Sequence, residues 1–182
     1  MAPVPVFETR RLRLRPYELT DIEPMAAMFA DPEVTAFTYL GQRNRAQTQA
    51  VLDDYRGFLL DNGYGMYAVL DRETGAYLGE VGTFHAPLPD EPVALRYALN
   101  RAAWNRGLAT EASIPILDDA FDRLGLDQMV AGVVAENLGS MRVMAKLGFI
   151  KQGSVDAGEH IFELFHLPRA QWRAHRGQLL AH

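Results

Sequence analysis

The segment YALNRAAWNRGLATE, Tyr97–Glu111, constrains the fold more than any other stretch of the chain. It begins inside Val93–Leu99, an apolar run of strand length. It ends in Ala109–Leu124, where Ile114, Ile116, Leu117 and Phe121 recur at helical spacing. Gly107 lies between them and has no side chain, so the turn can bring backbone amides close to a ligand. The first turn of the helix presents amide protons without intrahelical partners and the positive end of the helix dipole, which together make a physical anion site. The spacing is neither the GxGxxG of a dinucleotide fold nor the GxxxxGK[ST] of a triphosphate loop. A tight turn capped for folding reasons produces the same pattern.

The rest of the chain alternates strand and helix signals. Leu12 and Leu14 alternate with arginines over Glu8–Arg15, a half-buried strand that Pro16 ends. Thr20-Asp21-Ile22-Glu23 has a capping-box pattern, predicting a helix through Phe29 that Asp31-Pro32 stops. Val34–Leu40 is irregular or a short helix, and a longer helix covers Arg45–Asp61, ended by Asn62-Gly63. Met66–Leu70 and Tyr77–Phe84 are strands joined by a turn, followed by a loop with Pro87, Pro89 and Pro92. After the central helix, which Pro115 is expected to bend, come strand Gln128–Ala135, helix Ser140–Leu147, and strands Phe149–Val155 and His160–Leu167. A polar helix follows from Arg169. This order predicts an α/β fold over residues 1–182 as a single domain, a mixed sheet with helices packed on it.

Composition removes several classes of function. The 182 residues include no cysteine, which excludes disulfides, thiolate metal sites and a cysteine nucleophile. A net charge of −5 disfavours general nucleic-acid binding. No apolar run approaches the roughly 20 residues that span a bilayer, and Met1–Glu8 lacks a secretory core, so a cytoplasmic protein without membrane association is expected. No histidine has convincing metal-ligand spacing with carboxylates, and no metal is expected.

Three segments resemble the GNAT superfamily of N-acetyltransferases, within it the branch of ribosomal-protein N-terminal acetyltransferases. Thr9-Arg10-Arg11-Leu12-Arg13-Leu14-Arg15 with Asp21 is similar to the branch's opening TxRLxLR…D. Trp104-Asn105-Arg106-Gly107-Leu108-Ala109-Thr110-Glu111-Ala112 is similar to its WxxGxATEA loop, and Ala135-Glu136-Asn137 with Ser140 and Lys146-Leu147-Gly148-Phe149 to its AxNxxS…KxGF segment. The resemblance implies a strongly bent mixed sheet of about seven strands, helices on both faces, and a V-shaped splay between two central parallel strands, here Val93–Leu99 and Gln128–Ala135. It implies acetyl-CoA as cosubstrate in that V. Backbone amides of Tyr97, Ala98 and Leu99 would meet the pantetheine arm, and amides from Arg106 through Gly107, Leu108 and Ala109 to Thr110 the pyrophosphate. Trp104 stands at the loop's first position, and Arg106 is an extra cation or a solvated surface arginine. Asn137 meets the pantetheine chain or caps a helix. Ser140 lies near the thioester sulfur or is itself a cap. Lys146 meets the nucleotide end or balances a helix dipole.

The implied reaction is direct attack of a neutral amine on the thioester, the acceptor being a small amine or a protein N-terminus. An amine arrives mostly as ammonium, so a group must take a proton. Val93–Leu99 holds no carboxylate, which leaves Glu80, half-buried in an apolar strand, His85, Glu163 or a water chain. Glu80 and His85 face opposite sides of a regular strand. The missing base and the absence of a tyrosine between Ala135 and Gly148 also allow an inactive relative that binds acyl-CoA or a partner. The exposed edge expected in the last two strands and the polar C-terminal helix allows a homodimer.

Overall fold

The sheet opens with a hairpin where the alternation predicts one strand. In the computed structural model, which describes residues 4–38, 41–86 and 92–180, β1 (Phe7–Glu8) pairs antiparallel with β2 (Leu12–Arg15), Phe7 opposite Leu14. The chain turns between them because the Thr9 amide donates to the Leu12 carbonyl at 2.9 Å, and the Leu12 amide to the Thr9 hydroxyl at 3.0 Å. Leu12 and Leu14 are buried, as the alternation requires.

A short 3₁₀ turn, Leu19–Asp21, leads into α1 (Ile22–Ala30), α2 (Pro32–Thr35) and α3 (Arg45–Asn62). Thr20 is not the cap. Arg15 at the end of β2 binds Asp21 at 2.7 Å, and the same carboxylate accepts the Glu18 amide at 2.8 Å, so the turn is fixed two residues earlier. Asp31 accepts the Glu33 amide at 3.0 Å and starts α2, while Leu40 at the end of that expected segment lies outside the described residues. The start of α3 is a capping box the sequence reading passed over: Asn44 and Gln47 exchange side-chain-to-amide bonds of 2.9 Å.

The remaining elements are β3 (Met66–Asp71), β4 (Tyr77–His85), β5 (Val93–Leu99), α4 (Leu108–Asp122), β6 (Gln128–Val134), α5 (Leu138–Leu147), β7 (Ile150–Asp156), β8 (Ile161–Pro168) and α6 (Arg169–Leu180). Pro87 and Pro89 lie outside the described residues. Eight strands form a mixed sheet in the order β1-β2-β3-β4-β5-β6-β8-β7, one more than the expected seven because of the two-residue β1. Pairing is antiparallel for β2–β3, β3–β4, β6–β8 and β7–β8, and parallel for β5–β6. Among the described residues β5 meets β6 at one register point, Ala94 opposite Val130, whereas β6 pairs with β8 along its whole length.

The chain divides into two compact units. The first comprises Met1–Phe84 and Arg96–Pro115; α1 and α3 bury Ile22, Met25, Phe29 and Leu52 with Met66 and Ala68 of β3 and Ala98 of β5. The second comprises His85–Leu95 and Ile116–His182. There β6 and β8 bury Met129, Ala131, Phe165 and Leu167, and Trp172 of α6 donates to Asp118 at 2.9 Å. The family signature runs through both, and no helix among the described residues is long and apolar enough to cross a membrane.

Candidate functional site

The turn into α4 has the geometry of an anion cradle. Asn105 and Gly107 both take left-handed backbone angles, φ 57° and 74°. At Gly107 this conformation favours glycine, and the space over its Cα is open except for an Arg11 guanidinium nitrogen 3.8 Å from where a Cβ would sit. The Glu111 amide donates to the Gly107 carbonyl at 3.1 Å and so begins the helix, leaving the amides of Leu108, Ala109 and Thr110 as its unspent N-terminal donors. The Thr110 hydroxyl is buried without a hydrogen-bond partner. Arg106 is exposed, and among the described residues its guanidinium has no ion pair, while its carbonyl accepts from Arg11 at 3.0 Å. Pro115 lies inside α4 and gives no amide to the ladder.

Trp104 is anchored to the end of β5. Its indole N–H donates to the Leu99 carbonyl at 2.7 Å, and its amide to Arg101 at 3.0 Å, closing the short 3₁₀ turn Arg101–Ala103 that follows β5. Ala98 and Leu99 are buried, and Tyr97 is half-buried.

Glu80 is completely buried, where half-burial was expected. The Arg96 guanidinium on β5 donates to its Oε1 at 2.5 Å, and the Tyr17 hydroxyl to its Oε2 at 3.1 Å. Arg96 also donates to the Tyr55 hydroxyl at 2.7 Å, and the Tyr17 and Tyr77 hydroxyls share a hydrogen bond of 3.0 Å. Burial pushes the Glu80 carboxyl above its ordinary value against the pull of Arg96 and Tyr17. Burial likewise raises the Tyr17, Tyr55 and Tyr77 hydroxyls, so all three remain protonated. His85 stands at the exposed end of β4.

In the second unit Asn137 caps α5, its side-chain oxygen accepting the Ser140 amide at 3.0 Å. Asn137 is thus the cap of α5 and Ser140, its third residue, is not. The Asn137 NH₂ group and the Ser140 hydroxyl have no partner among the described residues. Lys146 is exposed in the last turn of α5, and its carbonyl meets His175 at 2.7 Å. Glu163 pairs with Lys151 across β7 and β8 at 2.6 Å. No group of three or more metal-ligating side chains occurs among the described residues.

Sequence reasoning missed the partners. Arg96, Tyr17 and Tyr55 around Glu80 carry no local signal. Arg11 and Glu111 do: each is a charged residue inside one of the three signature segments, and the signs are opposite. The Arg11 guanidinium meets Glu111 at 2.6–2.7 Å, and the Thr9 hydroxyl donates to the same carboxylate at 2.6 Å.

The chain is similar to known proteins in sequence and in fold. Residues 11–150 match the family described as "Acetyltransferase (GNAT) domain". An uncharacterized N-acetyltransferase, YoaA, of Bacillus subtilis is 31% identical, with 82% of this chain and 85% of the relative covered. An uncharacterized N-acetyltransferase, p20, of Bacillus licheniformis is 27% identical over 80% of this chain and 82% of its own. Among solved structures, a GNAT-family acetyltransferase from Bacillus anthracis superposes with a TM-score of 0.79 at 20% identity, covering 91% of this chain and 99% of its own. The ribosomal-protein-S5-alanine acetyltransferase from Vibrio fischeri superposes with a TM-score of 0.76 at 18% identity, covering 92% and 98%. With the family match over residues 11–150, this chain belongs to the GNAT acetyltransferase family.

Proposed function

We propose that the protein is an acetyl-CoA-dependent N-acetyltransferase that moves an acetyl group to a primary amine by direct attack in a ternary complex. The observation that carries this reading is the turn into α4: unspent amides, an open space over Gly107 and a buried Thr110 hydroxyl without a partner. These features fit a diphosphate. The Leu108, Ala109 and Thr110 amides and the helix dipole would hold it, with Arg106 as the free cation. Backbone amides along Tyr97–Leu99, at the end of β5, would meet the extended pantetheine arm. Bound acetyl-CoA supplies an activated thioester carbonyl. The chain supplies orientation of the two reactants and N–H donors toward the carbonyl oxygen.

Glu80 is fully enclosed, with one oxygen on Arg96 and the other on Tyr17. A base must come within reach of the amine, so we assign Glu80 to holding Arg96 and the amine proton to water or His85. The acceptor is a small amine or the α-amino group of a protein, the latter by analogy with the S5-alanine enzyme named above.

Calorimetric titration with acetyl-CoA, CoA, pantetheine and ATP, beside a thiol-release assay over amines and short peptides, tests the reading. Acetyl-CoA is expected to bind more tightly than pantetheine and to release thiol with at least one amine. Binding without thiol release over the whole panel would leave a non-catalytic acyl-CoA binder. Preference for ATP would end both readings.

A further inference from the structure

We infer that Arg11 is a positioning residue for the diphosphate end of acetyl-CoA: clasped by Glu111, it pins the Arg106 carbonyl and so turns the Gly107 N–H toward the anion. This rests on the acetyl-CoA reading above and names the device that shapes its phosphate turn.

Arg11 Nη1 donates to the Arg106 carbonyl at 3.0 Å. The described chain has no cis peptide, so this C=O and the N–H of Gly107 point in opposite directions. Fixing the carbonyl on Arg11 therefore sends the Gly107 amide to the other side of the turn. Left to itself, a glycine between left-handed and right-handed wells flips such a peptide at little energetic cost. The turn, bracketed by Asn105 at φ 57° and Gly107 at 74°, needs an outside hold to keep one orientation.

Arg11 can provide that hold because it is fixed at its far end. Its Nε donates to Glu111 Oε2 at 2.7 Å and its Nη2 lies 2.6 Å from the same oxygen. Glu111 Oε1 accepts from the Arg11 backbone amide at 2.8 Å and from the Thr9 hydroxyl at 2.6 Å. Glu111 belongs to the first turn of α4, and its own amide bonds to Gly107. The contacts close a ring: helix start, carboxylate, guanidinium, Arg106 carbonyl, Gly107, helix start. The planar guanidinium, with five donors in a rigid fork, holds the carboxylate and the carbonyl at once in fixed directions. Because Glu111 neutralises it, Arg11 acts by geometry, and the net cation beside the cradle is Arg106.

Calorimetry on Arg11→Met, Arg11→Lys, Glu111→Gln and the double variant Arg11→Met/Glu111→Gln tests this, with thermal unfolding followed alongside. Each single change is expected to raise the acetyl-CoA Kd about tenfold, or ~1.4 kcal/mol. Pantetheine, which lacks the diphosphate, should shift by less than about twofold. The double variant should be no worse than either single one, since both break the same ring. Arg11→Lys keeps an ion pair with Glu111 without reaching the Arg106 carbonyl, so it should stay stable yet bind acetyl-CoA weakly. In turnover the loss should fall on KM for acetyl-CoA more than on kcat.

A direct phosphate ligand would behave differently: freeing Arg11 by Glu111→Gln would keep or tighten acetyl-CoA binding, and that result overturns the clasp. Unchanged affinity in Arg11→Lys, or equal losses for acetyl-CoA and pantetheine, overturns it as well. In those cases the acetyl-CoA reading still stands. Failure of the unaltered protein to bind acetyl-CoA removes the reading and the clasp together.

Discussion

The first unit holds two arginine–glutamate pairs that look alike in contact and differ in surroundings. In the clasp at the turn into α4 the side chains of Arg11 and Glu111 are 35% and 17% exposed; in the pair beneath α3, Arg96 and Glu80 are 14% and 0% exposed. Both arginines approach within 2.6 Å of a carboxylate oxygen. Glu111 keeps some water and collects donors from Thr9, the Arg11 amide and the guanidinium. Glu80 has given up all its water and collects only Arg96 and Tyr17. Contact distance therefore says little about what a pair contributes; the loss of solvent and the number of donors decide it.

Cutting each pair in the same way gives the largest contrast. Arg96→Met strands the Glu80 carboxylate in an apolar layer and is expected to destabilise the fold by ~3–5 kcal/mol. Arg11→Met leaves Glu111 with water, the Thr9 hydroxyl and the Arg11 amide, and should lose about 1 kcal/mol. Urea unfolding at neutral pH measures both. Adding Glu80→Leu to Arg96→Met should recover much of the loss, since an apolar pair of similar volume can replace a buried ion pair. Equal losses in the two single variants would mean that burial is not what separates the pairs.

The two pairs also show what the sequence could and could not reveal. β5 is found at its full extent, Val93–Leu99, because Pro92 and Asn100 bound an apolar run and the pattern is local. Glu80 stands out as a lone carboxylate in such a run, but its partner lies on the next strand, and strand spacing does not say which arginine comes across. The hairpin at Thr9–Arg11 was hidden for a stronger reason. Leu12 and Leu14 do alternate, yet the turn before them is held partly by Glu111, about a hundred residues away and outside any local window. The glycine turn before a helix was legible, since a glycine before a strong helix needs no distant partner. That Gly107 is left-handed, with Arg11 behind it, was not.

Removing one neutral hydroxyl from each pair is a gentler comparison. Tyr17→Phe takes away the donor to a completely buried carboxylate oxygen and also deprives the Tyr77 hydroxyl of its partner. A buried acceptor left unsatisfied costs about 1–3 kcal/mol. Thr9→Val removes a donor whose carboxylate oxygen still has the Arg11 amide, so the loss should be below about 1 kcal/mol. Chemical unfolding of the two variants side by side checks the order. If Thr9→Val proved the more damaging, the Thr9 hydroxyl would matter mainly through the turn it closes with the Leu12 amide.

The smallest effect, and the one that isolates charge, is the pH dependence of the two carboxyls, which runs in opposite directions. At Glu111 partial burial works upward, but the Thr9 hydroxyl, the Arg11 amide and the Arg11 guanidinium outweigh it. The folded carboxyl sits below its ordinary 4.5. Such a group gives its stability in full above the unfolded value and loses it as pH falls through the lower folded one. At Glu80 burial works upward more strongly than Arg96 and Tyr17 work downward, and the folded carboxyl sits above 4.5. There the native state binds the proton more tightly than the unfolded chain, so this group's contribution declines as pH rises from 4.5 toward the raised value. Glu111→Gln removes the first dependence and leaves the second. Unfolding free energies of parent and variant, measured between about pH 3 and 7, should differ least at the acid end. The difference should grow as pH rises through the depressed Glu111 value and level off above 4.5. A difference that stays flat, or narrows as pH rises, would mean that the donors around Glu111 do not hold it ionised, and the two pairs would then differ in exposure alone.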